Sequence, residues 1–475
     1  MNPPARERQN RDTRPQPPWR PPATPCKAAQ PPPPPAMKRL ALLLPLFALA
    51  AAPARAADPA TSTDNWIRTE TRLEPGATRI DLRRESPPCD VRMVAFDRAA
   101  LPGLRFHVRE AGGGLFATRA VPALAKELEE ELAPFGARRA VAGVNGDFFD
   151  NVGSSATFGL PNGPVVENRE LLTTGLLVPE ILYAQPQTAL YEWRDRAARR
   201  ELRVGRLVFR GTIRSGILTG APAVTNEFRL VNPLLSDLDP DPAKQPAELA
   251  VFTARWTKPL PAPGVRVRYV PFPRKEQPTG LLMPYWGCGG VEILGPVKEG
   301  DKLSGDPLEG AIVGLGAAAE TAKGLLAFRQ SEKKQTPKPF YVADDLYIHG
   351  GFDRDPGVGE DFFVVEEAVR PWTIPMRGGM VVPTHEVANY PRTLVGLGPG
   401  KIVLFVADAR SSRSRGVTSR EAAELLAAEG CTDAVQFDGG GSATLLAAGE
   451  VLNRPSDGRP RKVANGLFLT LPGTP

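Results

Sequence analysis

Lys401-Ile402-Val403-Leu404-Phe405-Val406 is an unbroken apolar run rich in β-branched residues, and Ala434-Val435-Gln436-Phe437 is a shorter one downstream. Each has the length and composition of a buried strand. Between them Thr418 and Glu421 form the T-x-x-E capping box that opens a helix. Glu424-Leu425-Leu426 continues it, and Gly430 stands where a glycine C-cap belongs. The spacing predicts a strand over 401–406, a helix over 419–429 and a strand over 434–437. This βαβ-like order ends in Asp438-Gly439-Gly440-Gly441-Ser442.

Working outward, Val141-Ala142-Gly143-Val144 and Ala311-Ile312-Val313 read as further short buried strands. Val121 to Leu132 places Leu124, Leu128 and Leu132 at helical spacing. We therefore expect an α/β or α+β fold with a mixed β-sheet core and flanking helices. It would form one large domain over 57–475, with an inserted middle region at about 180–350.

The 475-residue chain carries 59 Lys+Arg against 53 Asp+Glu, a net charge of +6. Residues 1–56 account for +7 of this through nine basic and two acidic side chains, leaving −1 for the remainder. A nearly neutral body argues against nucleic acid as a partner. Residues 1–36 hold 13 of the 52 prolines and lack apolar periodicity, so this extension is expected to be disordered. At Met37 the text changes to Lys38-Arg39, an apolar run from Leu40 to Ala52, and Ala54-Arg55-Ala56. This is the form of a secretory signal peptide over 37–56, which makes Met37 the expected start and the product periplasmic or secreted. The run is too short to span a bilayer, so no transmembrane anchor is expected in the mature chain. Cys89, Cys288 and Cys431 follow the signal, at most one bridge can form, and the pairing stays open.

Four stretches bear polar groups suited to chemistry. Asp438-Gly439-Gly440-Gly441-Ser442 follows a strand directly, and three glycines allow positive φ, close ligand approach and an anion-binding nest of amides. Asn145-Gly146-Asp147-Phe148-Phe149 also follows a strand, and its aromatics would desolvate Asp147 and raise its pKa. Pro391-Arg392-Thr393 precedes a strand ending in Asp408-Ala409-Arg410, and the two arginines offer bidentate contacts to phosphate. By contrast, Gly314-Leu315-Gly316 lacks the downstream acidic residue of a dinucleotide site. Asp353-Arg354-Asp355 has Gly357 at the fifth calcium-loop position.

Taken in order, these segments resemble the phosphodiester glycosidase family. They are joined by Gly416-Val417-Thr418, Asn453-Arg454-Pro455-Ser456 and Arg461-Lys462-Val463-Ala464-Asn465. Ala409 stands where the family pattern has glycine, and the middle region exceeds the family's core. The resemblance implies an exported glycosidase acting on sugar-1-phosphodiesters, with a phosphoglycan or sugar-phosphate substrate such as an exopolysaccharide of the cell envelope. It places Asp438, Asp147 and Asn145 at the reacting centre. It places Arg392, Thr393, Asp408, Arg410, Gly439, Gly440, Gly441, Ser442 and Asn465 on phosphate and substrate. No cofactor is required, and a divalent cation bridging an Asp and the phosphate is compatible with the sequence. A non-catalytic polysaccharide-binding protein would use the same cleft. The two readings separate on whether Asp147 and Asp438 share a pocket beside Arg392.

Overall fold

The computed structural model describes residues 65–473, apart from 176–187, 216–223, 234–244, 272–288, 329–345, 355–362, 385–387 and scattered positions near 152, 196, 246 and 262. The signal segment and Cys288 lie outside the described residues. Cys89 and Cys431 are buried free thiols, so the open question of pairing finds no bridge between these two.

The expected α/β or α+β fold with flanking helices is corrected: the described residues form an antiparallel β architecture with three short α-helices, Val121–Leu132, Ala319–Gly324 and Ser419–Ala428. The local reading that suggested otherwise holds element by element. Strand Lys401–Ala407 leads through helix Ser419–Ala428 to strand Asp433–Gln436, and the Thr418 hydroxyl accepts the Glu421 amide as its N-cap. However, both strands pair antiparallel with Arg392–Gly398, one on each side of it. The crossover therefore spans an occupied slot. A strand-helix-strand spacing is identical whether or not a third strand lies between, and only the non-local pairing decides the class.

Three large sheets result. An eight-stranded sheet joins the N-terminal strands Ile67–Glu74, Ala77–Glu85 and Pro88–Asp97 to Lys401–Ala407, Arg392–Gly398, Asp433–Gln436, Thr373–Arg377 and Met380–Val381. A five-stranded sheet runs Glu450–Val451, Leu445–Ala447, Arg138–Asn145, Asn465–Pro472 and Arg105–Glu110. The twelve-stranded sheet is built wholly from strands between Val165 and Val369, with Val165–Glu167, Glu170–Thr173 and Phe363–Val369 lying outside the 180–350 segment.

Helix Val121–Leu132 buries Val121, Leu124, Ala125, Leu128 and Leu132 on one stripe and packs on strand Arg138–Asn145. Its full burial of Leu124 and Leu128 stabilises by roughly 2 kcal/mol per side chain. This packing holds the strand that ends at Asn145. Strand Arg392–Gly398 begins at the same rim, where Arg392 pairs Ala407 and Leu394 pairs Gln436. Strand Asn465–Pro472 begins there too, with Gly466 opposite Asn145. One rim thus gathers residues 145, 392, 407, 436 and 465.

Candidate active site

Asn145 is fully buried at the end of its strand, and its carboxamide ties three other segments together. Nδ2 donates to the Asp438 carbonyl at 2.7 Å, while Oδ1 accepts the Thr393 hydroxyl at 2.9 Å and the Thr444 amide at 3.1 Å. The neighbouring main chains are joined as well. Asp438 N donates to Gly146 O at 3.1 Å, and Phe437 N to Thr393 O at 2.9 Å. Asn465 completes the cluster, its carbonyl accepting Gly146 N and its Oδ1 accepting Asp147 N, each at 3.0 Å. A Cβ at Gly146 would collide with that Oδ1, so only glycine permits the approach. Asn145, Thr393 and Asn465 are therefore the frame that sets where Asp147 and Asp438 stand.

The two carboxyls differ in exposure. Asp147 is buried, with Oδ1 accepting the Phe148 amide at 2.7 Å, and Phe148 packs its ring on Trp372 with centroids 4.6 Å apart. Burial pushes its pKa up to about 7; Arg370 and the Phe148 and Gly163 amides oppose the rise, and the Asp438 charge adds to it. Asp438 is half-buried at the mouth of the glycine turn. Burial lifts it to about 6, against the Ser442 hydroxyl, Arg461 and the Gly439 amide. Both acids thus sit well above an ordinary aspartate, and Asp438 is the one with access to solvent.

The glycine turn is built for contact with side chains more than for an amide cradle. Gly440 N donates to Pro391 O at 3.0 Å and Ser442 N to Gly439 O at 3.1 Å, so these two amides already have carbonyl partners. A Cβ at Gly439 would strike Pro391 O, and one at Gly441 would strike Arg461 and Asp457, which pair at 2.7 Å. Gly440 adopts φ +61, and a Cβ there would lie 3.3 Å from Tyr390 and 3.5 Å from an Arg410 Nη. Bare backbone lets Tyr390, Arg410 and Arg461 close over the turn. Ser442 is fully buried beneath it.

The two arginines from the Pro391 and Asp408 segments have different surroundings. Arg392 is buried, and its guanidinium donates to Val417 O at 3.2 Å and Ala388 O at 2.8 Å. It is turned to main-chain carbonyls. Arg410 is exposed, has a left-handed backbone at φ +61, stacks 4.6 Å over the Tyr390 ring and donates to the Tyr390 hydroxyl. The left-handed residue is Arg410, and the preceding Ala409 is buried and needs no glycine freedom. Asp408, also buried, accepts the Arg454 amide on Oδ1 at 2.9 Å, and burial raises it to about 6. Asp408 and Arg410 line a cavity of about 300 Å³ to which neither Asp147 nor Asp438 contributes.

Tyr390, Arg454 and Arg461 emerge as site residues that sequence reasoning did not single out. Tyr390 directly precedes the Pro391-Arg392-Thr393 segment, and the two arginines stand in segments valued only for their pattern. Among the described residues no three His, Cys, Asp or Glu side chains cluster as a metal site. Asp408 and Asp90, joined by Asp408 N to Asp90 O at 2.9 Å, are the adjacent acids that face the cavity.

The family model described as phosphodiester glycosidase matches residues 324–470. The SPbeta prophage-derived uncharacterized protein YomE of Bacillus subtilis strain 168 is 37% identical over 85 residues, which is 18% of this chain and 13% of that protein. A hypothetical protein from Synechocystis superposes with a TM-score of 0.54 at 16% identity, covering 85% of this chain and 64% of that one. A protein of Burkholderia pseudomallei K96243 described as "Putative exported protein" gives 0.52 at 20% identity, covering 80% and 74%. At these identities the two structures attest the fold alone. This chain spans under two thirds of the Synechocystis protein and a small part of the Bacillus one. Residues 324–470, the segment matched by the phosphodiester glycosidase model, hold Arg392, Asp408, Arg410 and the glycine turn, whereas Asn145 and Asp147 lie outside it.

Proposed function

We propose that this protein is an exported hydrolase that cleaves the bond between a sugar's anomeric carbon and a phosphodiester. The reading is carried by one arrangement: a partly exposed carboxyl, Asp438, on a turn of glycines closed over by Arg410 and Arg461. A phosphodiester is a weakly basic leaving group and departs without strong protonation. Its charge instead calls for fixed cationic donors, a role that suits Arg410. At neutral pH Asp438 is mainly ionised and faces the oxocarbenium-like centre as base or nucleophile. Asp147, buried behind it, holds its proton near neutrality and limits the negative charge around Asp438. Arg392 braces the loop by its carbonyl contacts. A divalent cation bridging phosphate and carboxylate is compatible with Asp408 and Asp90. Export is supported by the Met37–Ala56 signal pattern and by the fold shared with the Burkholderia protein of that description.

The test is turnover of a panel of sugar-1-phosphodiesters by the mature protein and by Asp438→Asn. Hydrolysis releasing free sugar, lost in the variant, is the expected result. Binding of the panel without turnover of any member would reassign the cleft to a polysaccharide-binding protein.

A further inference from the structure

Glu110 ends the strand Arg105–Glu110 and is fully buried, yet neither of its carboxyl oxygens has a well-formed hydrogen bond. Its partner across the sheet is Asn465. Directly opposed residues carry their side chains on one face, with Cβ atoms about 5 Å apart. Asn465 Oδ1 accepts the Asp147 amide at 3.0 Å, so Nδ2 is the end of that carboxamide turned away from Asp147. Nδ2 is also buried without a well-formed hydrogen bond. A buried donor and a buried acceptor in this condition are costly apart and satisfy one another together. The surroundings then fix the charge of the acceptor. Strand Val165–Glu167 brings Glu167, whose Oε2 accepts the Glu110 amide at 3.0 Å. Strand Phe363–Val369 brings Glu367, whose Oε2 accepts the Val108 amide at 3.1 Å. Helix Val121–Leu132 brings Glu127 and Glu131, and Arg109 is already engaged by Glu131 and Glu167. Burial first and Glu167 second push Glu110 well above the ordinary glutamate range; Asp147 adds to the rise, against the Asn465 carboxamide and Arg109.

We propose that Glu110 is a further positioning residue for the hydrolysis, acting through Asn465 as a neutral carboxylic acid. Its oxygen accepts the Asn465 Nδ2 hydrogen, which keeps Oδ1 aimed at the Asp147 amide and so fixes where Asp147 stands behind Asp438. This role rests on the hydrolase reading for the reaction that is positioned. An ionised Glu110 would accept the same hydrogen, but it would set one more negative charge among Glu167, Glu367 and Asp147, where water cannot screen it.

The experiment compares the mature protein with Glu110→Gln, Glu110→Ala, Asn465→Ala and the double variant Glu110→Ala/Asn465→Ala. Urea unfolding is followed from about pH 5 to about pH 7, and kcat and KM are read on a sugar-1-phosphodiester. Glu110→Gln keeps a neutral acceptor and has no proton to lose. A raised carboxyl costs nothing below its unfolded value of about 4 and lowers stability as pH rises above it. The folding constant of Glu110→Gln should therefore gain on the wild type by about tenfold per pH unit, the effect of one proton. Glu110→Ala should lower kcat about tenfold, the size of one hydrogen bond, with KM within about twofold, and Glu110→Gln should recover most of that loss. The double variant should be no worse than Asn465→Ala in kcat or in urea midpoint, because the two side chains act as one unit. A difference between Glu110→Gln and wild type that stays constant with pH would show an ionised Glu110. Additive losses in the double variant would show a role independent of Asn465, and either result overturns the proposal. If the wild type turns over no sugar-1-phosphodiester, the hydrolase reading falls, while the pH slope and the urea comparison of single and double variants still decide whether a neutral Glu110 holds Asn465.

Discussion

Asn145 and Asp438 are 293 residues apart in the chain, yet the carboxamide of one donates to the carbonyl of the other at 2.7 Å. The same carboxamide accepts from Thr393 and Thr444, so one buried side chain fixes both the Arg392 strand and the glycine turn. A residue from outside the segment that matches the phosphodiester glycosidase model thereby sets the position of Asp438 within it.

Asn145→Ala should accordingly act on stability as well as on activity. It leaves the Asp438 carbonyl, the Thr393 hydroxyl and the Thr444 amide unpaired in the interior, a loss of about 2–4 kcal/mol. Urea unfolding measures it, and a change of under about 0.5 kcal/mol would show that Asn145 is not the joint described here.

Arg410→Ala should reduce turnover of a phosphodiester substrate by about 10²–10³, the effect of losing one fixed charge-stabilising donor, and should matter far less for a neutral aryl glycoside. Arg392→Ala should harm both substrates alike and lower the thermal midpoint, because its guanidinium serves Val417 and Ala388. Tyr390→Phe, which removes only the hydroxyl contact to Arg410, should fall between wild type and Arg410→Ala on the phosphodiester. Values of kcat/KM for both substrate types across the three variants, with melting curves, decide the assignment. A leaving-group dependence seen for Arg392 and absent for Arg410 would exchange their roles.

Gly440→Val should keep the fold and abolish turnover. The φ of +61 strains a β-branched residue, and the added atoms push against Tyr390 and Arg410 on the open side of the turn. Circular dichroism should be unchanged while sugar-phosphate binding falls. Retained affinity in a folded variant would show that the turn does not position Arg410.

The raised carboxyls predict a pH dependence of stability with a definite sign. Asp147 at about 7 and Asp438 and Asp408 at about 6 all lie above their unfolded values. Between about pH 4 and 7 these carboxyls therefore bind more protons in the native state than in the unfolded chain and lower stability as pH rises, whereas buried His107, pushed down to about 3, acts in the opposite direction. The buried Glu110, Glu167 and Glu367 are raised as well and act in the same direction as these carboxyls. Asp147→Asn should flatten the slope between pH 4 and 7 and stabilise the protein at neutral pH, as read by urea midpoints across the range. Turnover should instead rise through about pH 6 as Asp438 ionises. A stability maximum at pH 7 with an unaltered slope in the variant would contradict the burial argument.

What the sequence determined by itself was local. The capping box at Thr418 and Glu421, the apolar stripe of Val121–Leu132 and the strand at 401–406 are set by nearest neighbours and periodicity, and they stand where their residues indicate. The ordered segments at 391, 408, 438 and 453 likewise lie within the stretch that the phosphodiester glycosidase model matches. Tertiary structure decided the sheet class, because pairing of Arg392–Gly398 between two strands leaves no mark on the spacing around it. It also decided which arginine stays exposed over the turn. Arg392 and Arg410 look alike in sequence, but Arg392 meets two carbonyls and is buried. Arg410 is held open by Tyr390, and only folding brings those partners within reach.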